Sequence, residues 1–472
     1  MKVLYVAGEA APFVKVGGLG DVAGALPKEL CAMGEDVRVI LPMYSAIGDK
    51  RRDFKYINHI YIDNSWRKQY CGVFEYREGN VIYYFIDNES YFNRAGVYGE
   101  YDDGERFAFF SRAVLEILPI IDFIPDVLHC NDWHTAIIPA LLDTEFRSRP
   151  GYGMIKTVFT IHNIEFQGKF DPYILGDLFG MGEEIKPLLY YGDCINLVKG
   201  AIECSNKVTT VSPNYANEIL DPYYAFGLEY ILRARQFKLS GILNGIDTEV
   251  YDPETDRRIK TNYTVKTRNL KYHNKFALQQ ELSLEKTNER PLIAMVTRLT
   301  HQKGMDMVCK RLEWMLSNDI QLIILGSGDK QYEECLKNAA AAHPDKMRAI
   351  IGFDPALAQR IYAGADFFLM PSEFEPCGLA QMIALRYGTI PIVRATGGLA
   401  DTVIPFNPET NEGNGINFHS IDENDMADAV WRAICLYNNK KQFSTVKKNA
   451  MEGDYSWNAS AKKYLELYRS IV

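Results

Sequence analysis

The most constraining feature of this sequence is a series of short, β-branched apolar runs that alternates with longer segments of helical period and occurs twice along the chain. Such alternation is typical of parallel sheets covered by helices. In the first half it predicts strands near residues 2–7, 36–41, 81–87, 126–130, 156–161 and 207–211. In the second half it predicts strands near residues 291–297, 320–325, 348–352, 366–370 and 389–393. We therefore predict an α/β protein built from two domains of the same kind.

The crossing between the two domains is expected within residues 212–290, which end in a polar stretch with little apolar period. In an open α/β sheet, ligands bind outside the carboxyl ends of the strands. We therefore expect the two domains to face one deep cleft, with the chemistry at the strand ends. The final segment, 457–472, carries an apolar helical stripe that predicts a packed helix.

Charge and cysteine content narrow the function classes. The net charge is -9 and the sequence pI is about 5.6, which speaks against a general binder of nucleic acids or anionic membranes. The nine cysteines form no Cys-x-x-Cys pair, so we expect free thiols, no structural zinc and a reducing compartment. The first apolar run is about six residues long, too short for a signal peptide. These features favour a cytoplasmic protein.

A glycine-rich motif, Lys-Val-Gly-Gly-Leu-Gly-Asp-Val at 15–22, follows the first predicted strand, and a helix is predicted over 23–33. Glycines at this place let backbone N–H groups approach an anion, and the helix dipole there favours negative charge. Ala23 stands where a dinucleotide-binding motif has its third glycine, which the loosened form of that motif permits. A tight strand-to-helix turn without any ligand is the other interpretation.

The second half repeats this arrangement with more charge, in Thr-Arg-Leu-Thr-His-Gln-Lys-Gly at 297–304. Arg298 offers a planar fork and Lys303 a compact ammonium, and both suit the oxygens of a diphosphate. A solvated basic loop is the alternative. A further glycine turn, Thr-Gly-Gly-Leu-Ala-Asp at 396–401, is expected to present more N–H donors.

Glu375 lies after another predicted strand, directly before Pro376. Pro376 suits the first position of a helix, which would leave outward-facing N–H donors. Those donors would be the N–H groups of Cys377, Gly378 and Leu379. Glu375 would then lie beside any bound ligand, or it would only stabilise the helix N-terminus, by about 0.3–1 kcal/mol.

The other groups of potentially reactive residues give weaker evidence of function. The chain contains no His-Glu-x-x-His and no Gly-x-x-x-x-Gly-Lys-[Ser/Thr] motif, so zinc-protease and P-loop kinase chemistries lack their minimum parts. His129, Asp132 and His134 have the chemistry of metal ligands, but His129 lies in a predicted strand, and we expect no metal there. Cys377 is either a reactive thiol at a helix N-terminus or a small residue filling a tight turn.

Taken in order, these motifs resemble those of bacterial glycogen synthase and plant starch synthase, and the match covers nearly the whole chain. The resemblance is carried by 15–22, 297–304, 374–379 (Phe-Glu-Pro-Cys-Gly-Leu) and 396–401. Supporting blocks are 131–134 (Asn-Asp-Trp-His), 160–163 (Thr-Ile-His-Asn), 209–213 (Thr-Thr-Val-Ser-Pro) and 238–247 (Lys-Leu-Ser-Gly-Ile-Leu-Asn-Gly-Ile-Asp). Any one of these is weak, but all of them in sequence are specific.

The resemblance implies a retaining glucosyltransferase with two Rossmann-like domains, the GT-B architecture. Its members transfer glucose from ADP-glucose to the non-reducing end of an α-1,4-glucan such as glycogen, starch or a malto-oligosaccharide, and they release ADP. No metal, no cofactor, no nucleic acid and no membrane is implied. The implied domains are 1–243 and 244–454, with the last helix, 455–472, packing back on the first.

The resemblance also implies roles for individual residues. Glu375 would hold glucose hydroxyls and support positive charge at the anomeric carbon, and His162 would contact the sugar. Arg298 and Lys303 would neutralise the diphosphate, and Lys15 would approach it as the domains close. The implied donor-binding residues are Lys15, Gly18, Asp21, Asn244, Arg298, Lys303, Phe353, Cys377, Gly378, Leu379, Thr396, Gly397 and Gly398, together with Leu399. Asp21 and Asp132 are the candidates for acceptor binding.

Some positions depart from the family's motifs, and others allow two interpretations. Ile383 stands where many related transferases have a second glutamate, Asn131 where some members have His, and Ala395 where some have a basic residue. Phe353 is either an aromatic platform for adenine or a core residue at a strand end. Two alternative functions are a transferase that uses UDP-glucose or another acceptor, and a non-catalytic binder of sugars or nucleotides.

Overall fold

The computed structural model describes all residues from Met1 to Val472. The chain forms two compact units. The first comprises Met1–Asn244 and Trp457–Val472, and the second comprises Gly245–Ser456. The domain boundaries predicted at 243/244 and 454/455 each lie within two residues of these limits.

The first unit is built on a nine-stranded sheet in the order β12-β11-β7-β6-β1-β2-β5-β4-β3, beside a small sheet in the order β8-β10-β9. Numbered along the chain, its strands are β1 Lys2–Val6, β2 Asp36–Pro42, β3 Lys55–Asn64, β4 Arg67–Glu78, β5 Val81–Asp87, β6 Val127–Asn131, β7 Lys156–Ile161, β8 Lys169–Phe170, β9 Tyr190–Tyr191, β10 Cys194–Asn196, β11 Lys207–Thr210 and β12 Leu239–Gly241. The six predicted strands of this half are all present.

The centre of this sheet positions candidate residues. β1 pairs in parallel with β2 and β6, and β6 pairs in parallel with β7. All but the first residue of β1 is buried, which fits an apolar strand covered on both faces. Because the strands are parallel, the loop after β1, Asp132 after β6 and His162 after β7 leave the sheet at the same edge.

An antiparallel extension of the sheet was not predicted. β3 pairs antiparallel with β4, and β4 pairs antiparallel with β5. The outer strand β3 is mostly exposed, with Tyr56 and Tyr61 among its solvent-facing residues. Its side chains lack the continuous apolar run of the buried parallel strands, so the pattern used to find strands did not extend to it.

The helices of the first half are mostly short apart from two. They are α1 Gly18–Ala32, α2 Glu89–Phe92, α3 Asp103–Glu116, α4 Ile138–Leu141, α5 Ile174–Asp177, α6 Lys186–Leu189, α7 Leu197–Cys204, α8 Pro213–Glu218 and α9 Glu229–Ala234. The predicted start of the first helix at residue 23 was wrong, since α1 begins at Gly18, inside the glycine motif. The motif therefore forms the N-terminal turn of α1, and only its first residues belong to a loop.

The second unit holds a six-stranded, fully parallel sheet in the order β15-β14-β13-β16-β17-β18. Its strands are β13 Leu292–Val296, β14 Gln321–Gly326, β15 Met347–Ile351, β16 Phe367–Met370, β17 Ile390–Arg394 and β18 Ile416–Phe418. Its helices are α10 Lys271–Glu281, α11 Met305–Ser317, α12 Lys330–Ala342, α13 Pro355–Gly364, α14 Ala380–Arg386, α15 Gly397–Thr402, α16 Glu423–Asn438 and α17 Lys440–Glu452. All five predicted strands are present, and the one missed, β18, has only three residues.

The last helix, α18 Trp457–Arg469, belongs to the first unit. Its Tyr464 and Tyr468 are fully buried. The Tyr468 hydroxyl lies 2.6 Å from Nδ1 of His129 in β6, and this contact fixes the helix on the sheet. None of the helices combines the length and the apolar character that crossing a membrane requires.

Candidate functional site

A buried ion pair links two loops at the strand ends of the second unit. β13 and β16 are neighbours in the sheet, so the loops that follow them, 297–304 and 371–379, leave it side by side. The Lys303 ammonium lies 2.5 Å from Oε2 of Glu375, and the Ser372 hydroxyl donates to the same oxygen at 3.0 Å. Oε1 of Glu375 has no protein partner. The carboxylate is thus held firmly through one oxygen and offers the other to a ligand.

Backbone contacts fix the distance between these two loops. The N–H of Glu373 donates to the carbonyl of Gln302 at 2.8 Å, and the Gln302 amide donates to the carbonyl of Phe374 at 3.3 Å. Gly304 has a φ of 73°, and a Cβ there would overlap the Pro371 carbonyl oxygen. Only glycine allows this approach together with the left-handed conformation.

Arg394, the last residue of β17, supports the loop 371–379 that carries Glu375. It is 4% exposed, and its guanidinium donates to the carbonyls of Ser372 at 2.9 Å, His419 at 3.2 Å and Glu373. Sequence reasoning missed this residue. The available signal was an arginine that ends an apolar strand, because a buried guanidinium needs several acceptors close by.

The glycine turn at 396–401 braces the same loop, and the N–H groups of Thr396, Gly398 and Leu399, expected as free donors, bond to protein carbonyls instead. The N–H of Gly398 donates to the carbonyls of Glu375 at 3.1 Å and Pro376 at 3.2 Å. A Cβ on Gly397 would overlap the Glu375 carbonyl, and one on Gly398 would overlap that of Cys377. Two other N–H groups of the turn donate to nearby carbonyls: that of Thr396 to Arg394, at the end of β17, at 2.9 Å, and that of Leu399 to Thr396 at 3.0 Å.

Pro376 does not begin a helix, contrary to the sequence expectation. α14 starts four residues later, at Ala380, because Gly378 has a φ of 72° and interrupts helical geometry. The Gln381 side chain donates to the carbonyls of Cys377 at 3.0 Å and Gly378 at 2.9 Å. Cys377 is 5% exposed, which favours its reading as a small residue in a tight turn. The N-cap reading of Glu375 is also wrong, since its carboxylate binds Lys303.

Arg298 projects from the first of these loops into solvent. Its only side-chain hydrogen bond runs to Oε1 of Gln302, at 3.3 Å. The residue after it is anchored, since the N–H of Leu299 donates to the Ser327 carbonyl at 2.9 Å. The guanidinium is therefore an available cation on a fixed backbone, while Lys303 is already paired.

Phe353 is 91% exposed, so the core reading of this residue was wrong. Both of its neighbours are fixed. The N–H of Gly352 donates to the Gly326 carbonyl at 3.0 Å, and the Asp354 carboxylate caps α13 by accepting the N–H of Leu357 at 2.9 Å. A large ring held in water on an ordered backbone leaves both faces available for stacking.

In the first unit, the glycine motif is already occupied by an acidic side chain. Glu9 is 2% exposed, and its carboxylate accepts the N–H groups of Val16 and Gly17, the latter at 3.2 Å. Burial raises the pKa of Glu9, and these N–H groups oppose the rise. The N–H of Gly18 has no protein acceptor, and a Cβ on Gly18 would meet open space. Glu9 thus occupies the N–H groups of Val16 and Gly17, while the N–H of Gly18 remains available to an external anion.

Lys15 and Asp21 form an ion pair at the exposed side of this motif. Nζ of Lys15 lies 2.7 Å from Oδ1 of Asp21, and their side chains are 49% and 32% exposed. A Cβ on Gly20 would come within 3.2 Å of the Lys15 backbone. The Lys15 backbone thus packs closely against Gly20 of α1, while its ammonium remains accessible to solvent.

His162 and Asp132 are joined at the edge of the same sheet. The N–H of His162 donates to Oδ1 of Asp132 at 2.7 Å. Burial lowers the pKa of His162 to about 3, so its ring is neutral at pH 7. Nε2 of His162 lies 2.9 Å from Oδ1 of Asn131, which also accepts the Tyr5 hydroxyl. Because this oxygen is an acceptor, Nε2 carries the proton and Nδ1 is left as an acceptor.

Asp132 has an unusual environment. Its φ is 54° with ψ near 180°, a region that residues with side chains rarely enter and that concentrates at functional sites. Burial raises the pKa of Asp132 to about 7, against the opposing hydrogen bonds from the N–H groups of His162 and Asn163. A carboxyl group poised in this way titrates near neutral pH.

Asn244 ends the first unit and is 6% exposed. Its Oδ1 is buried without a partner, so the side chain has an unsatisfied acceptor.

His129 and His134 are not arranged around a metal. His129 bonds to Tyr468 and Thr160, each at 2.6 Å, while His134 stacks on Tyr98. No group of three or more possible ligands gathers anywhere in the chain.

The structure thus brings the predicted residues together in two sets. The second-unit set comprises Arg298, Lys303, Glu375, Cys377, Gly378, Thr396, Gly397 and Gly398, with Phe353 on a loop after the edge strand β15. The first-unit set comprises Lys15, Gly18 and Asp21 on α1 and its preceding loop, and Asp132 with His162 at the ends of β6 and β7.

Comparison with known proteins gives a consistent result along the whole chain. Residues 2–234 match the family model described as the starch synthase catalytic domain, and residues 279–450 match glycosyl transferases group 1. The chain is 51% identical to a glycogen synthase of Geobacillus thermodenitrificans, covering all of this chain and 98% of the relative. It is 50% identical to a glycogen synthase of Clostridium botulinum, covering all of this chain and 99% of the relative.

Two solved structures share the architecture. The catalytic domain of starch synthase IV from Arabidopsis thaliana, bound to ADP and acarbose, superposes with a TM-score of 0.91 at 36% identity, over all of this chain and 99% of that one. Sucrose-phosphate synthase from Thermosynechococcus elongatus gives a TM-score of 0.63 at 17% identity, over 99% of this chain and 98% of that one. The second likeness concerns the fold alone.

Proposed function

Because this chain belongs to the glycogen synthase family, we propose that it transfers glucose from ADP-glucose to the non-reducing end of an α-1,4-glucan, with retention of configuration and release of ADP. The observation that carries the proposal is the Glu375 carboxylate, fixed through Oε2 by Lys303 and Ser372 while Oε1 remains free. ADP and acarbose, the molecules bound to the related starch synthase, support this choice of donor and acceptor.

The leaving group determines what the cations do. As the bond to the anomeric carbon breaks, negative charge accumulates on the departing diphosphate, and preorganised cations stabilise it. Arg298 is free to bind phosphate oxygens bidentately, and Lys303 has further N–H donors besides the one directed at Glu375. The free Oε1 of Glu375 binds glucose hydroxyls and favours positive charge at the anomeric carbon. Phe353 stacks on the adenine.

The roles in the first unit are carried over from the family. Lys15 and the N–H of Gly18 contact the diphosphate, and Asn244 binds a sugar hydroxyl through its unsatisfied Oδ1. His162, neutral at working pH, contacts the donor sugar. Asp21 and Asp132 contribute to recognition of the acceptor. The nine free cysteines fit a reducing compartment, and we propose the cytoplasm as the location.

Initial rates with ADP-glucose and UDP-glucose, each with and without glycogen, test this function. We expect ADP release that depends on glycogen and transfer of labelled glucose into it. Preference for UDP-glucose would replace the donor, while donor binding without release of nucleotide would indicate a binding protein. Lys303→Ala is expected to lower turnover about 10²- to 10³-fold. Lys337→Ala, which removes a half-exposed lysine paired within α12, is the matched control.

A further inference from the structure

Glu9 stands out among the buried charged groups because the chemistry of transfer does not use it. It follows β1, and its carboxylate bonds to the end of the segment 10–17, which leads into α1. At 2% exposure it is more deeply buried than Lys15 or Asp21, and no cation lies within ion-pair distance of it. A buried carboxylate without a cation needs other donors, and the backbone of this segment supplies them.

The N–H groups at the start of α1 would otherwise attract an external anion. Glu9 takes those of Val16 and Gly17, so the protein fills this position with its own carboxylate. A further hydrogen bond holds the segment, since the N–H of Ala11 donates to the Gly20 carbonyl at 2.9 Å. Lys15 lies in the chain between Ala11 and the two residues whose N–H groups bind Glu9.

We propose that Glu9 is a positioning residue that orders the 15–18 backbone and thereby sets the direction of the Lys15 ammonium and the Gly18 N–H toward the donor diphosphate. This inference rests on the proposed function. It differs from the usual reading of a glycine-rich turn, in which the loop amides themselves bind the phosphate. Here the N–H groups of Val16 and Gly17 bind the internal carboxylate, and the Lys15 ammonium and the N–H of Gly18 remain for the external anion.

Three variants separate this role from a general effect on folding. Glu9→Gln keeps the size of the side chain, removes its negative charge and turns one of its two acceptor oxygens into a donor. Glu9→Ala removes both acceptors. The control is Glu35→Gln, which makes the same charge change in the same unit at a carboxylate of 10% side-chain exposure that binds the chain N-terminus.

Hydrogen–deuterium exchange reads the claimed hydrogen bonds directly. In the full chain, Glu9→Gln is expected to speed exchange of the Val16 and Gly17 amides at least tenfold, and Glu9→Ala more, with peptides of the second unit unchanged. Glu35→Gln is expected to leave these two amides unchanged. Unaltered exchange at residues 16 and 17 in Glu9→Ala would overturn the proposal.

The kinetic test is a double-mutant cycle with Lys15→Ala, measured as kcat/KM for ADP-glucose. Glu9→Gln is expected to lower kcat/KM about 10- to 100-fold in the wild-type background and less than threefold in the Lys15→Ala background, because the same interaction is already lost. Equal effects in both backgrounds would mean that Glu9 does not act through Lys15. If the wild-type chain released no ADP, the proposed function would fail, while the exchange measurement would still decide whether Glu9 orders the loop.

Discussion

Breaking the Lys303–Glu375 pair should affect stability and turnover through separate physical effects. The two side chains are 15% and 9% exposed, and their charged atoms are 2.5 Å apart. Removing one partner of a buried pair costs about 3–5 kcal/mol, because the other charge stays buried without compensation. In Lys303→Met, the Ser372 hydroxyl is the remaining donor to Glu375 and offsets about 1 kcal/mol of this. We expect a net loss of about 2–4 kcal/mol.

For a unit of this size, such a loss lowers the thermal midpoint by roughly 4–16 °C, taking about 2–4 °C for each kcal/mol. The double variant Lys303→Met/Glu375→Gln should recover at least half of the loss, since the buried carboxylate is gone. Turnover with ADP-glucose should stay low in both. Differential scanning calorimetry of the full chain, with parallel rate measurements, provides the assay. If the double variant were as destabilised as the sum of the two single variants, the pair would not be coupled and this reasoning would be refuted.

Three further predictions follow from other residues. Phe353→Ala should raise KM for ADP-glucose about 5- to 150-fold through loss of about 1–3 kcal/mol of stacking, with no change in thermal midpoint because the ring is 91% exposed; an unchanged KM would remove the adenine role. Gly398→Ala should abolish transfer and lower the thermal midpoint, because its Cβ would overlap the Cys377 carbonyl. Gly18→Ala should leave the midpoint within about 2 °C of wild type, because its Cβ meets open space. Equal midpoints of the two variants in a thermal melt would contradict the bracing role of Gly398. Burial raises the folded-state pKa of Asp132 from 3.8 to about 7, so its ionisation reduces stability progressively as pH rises from about 4 to 7 and by a constant amount above. The thermal midpoint of Asp132→Asn minus that of wild type should therefore increase between pH 5 and pH 8. A difference that does not change with pH would refute the raised pKa of Asp132.

The sequence predicted the parallel parts of both sheets well, for a physical reason. A parallel strand covered on both faces must be almost wholly apolar, so strands such as β13 and β14 stand out from their polar surroundings. β3 and β4 form an edge hairpin whose outer face meets solvent, and their mixed composition hides them. β18 is too short for any period to show.

The candidate site was predictable in its residues but only partly in its geometry. Arg298, Lys303 and Glu375 could be chosen because they lie in loops that follow predicted strands, and parallel strands bring their ends together. Residue type does not determine the direction in which a backbone N–H group points. The N–H groups of Gly398 and Leu399, expected to bind a ligand, bond to protein carbonyls. The sequence also showed a negative charge at Glu9 and a positive one at Arg394 without revealing that each binds backbone groups of a neighbouring loop.

The central claim is that the loops holding Lys303 and Glu375 bind the diphosphate of the donor. A crystal structure of the full chain with ADP tests it most directly. We predict that the diphosphate oxygens lie within hydrogen-bonding distance of Arg298 and Lys303, with adenine stacked on Phe353. A well-ordered ADP bound elsewhere on the chain, in contact with none of these three side chains, would contradict the account.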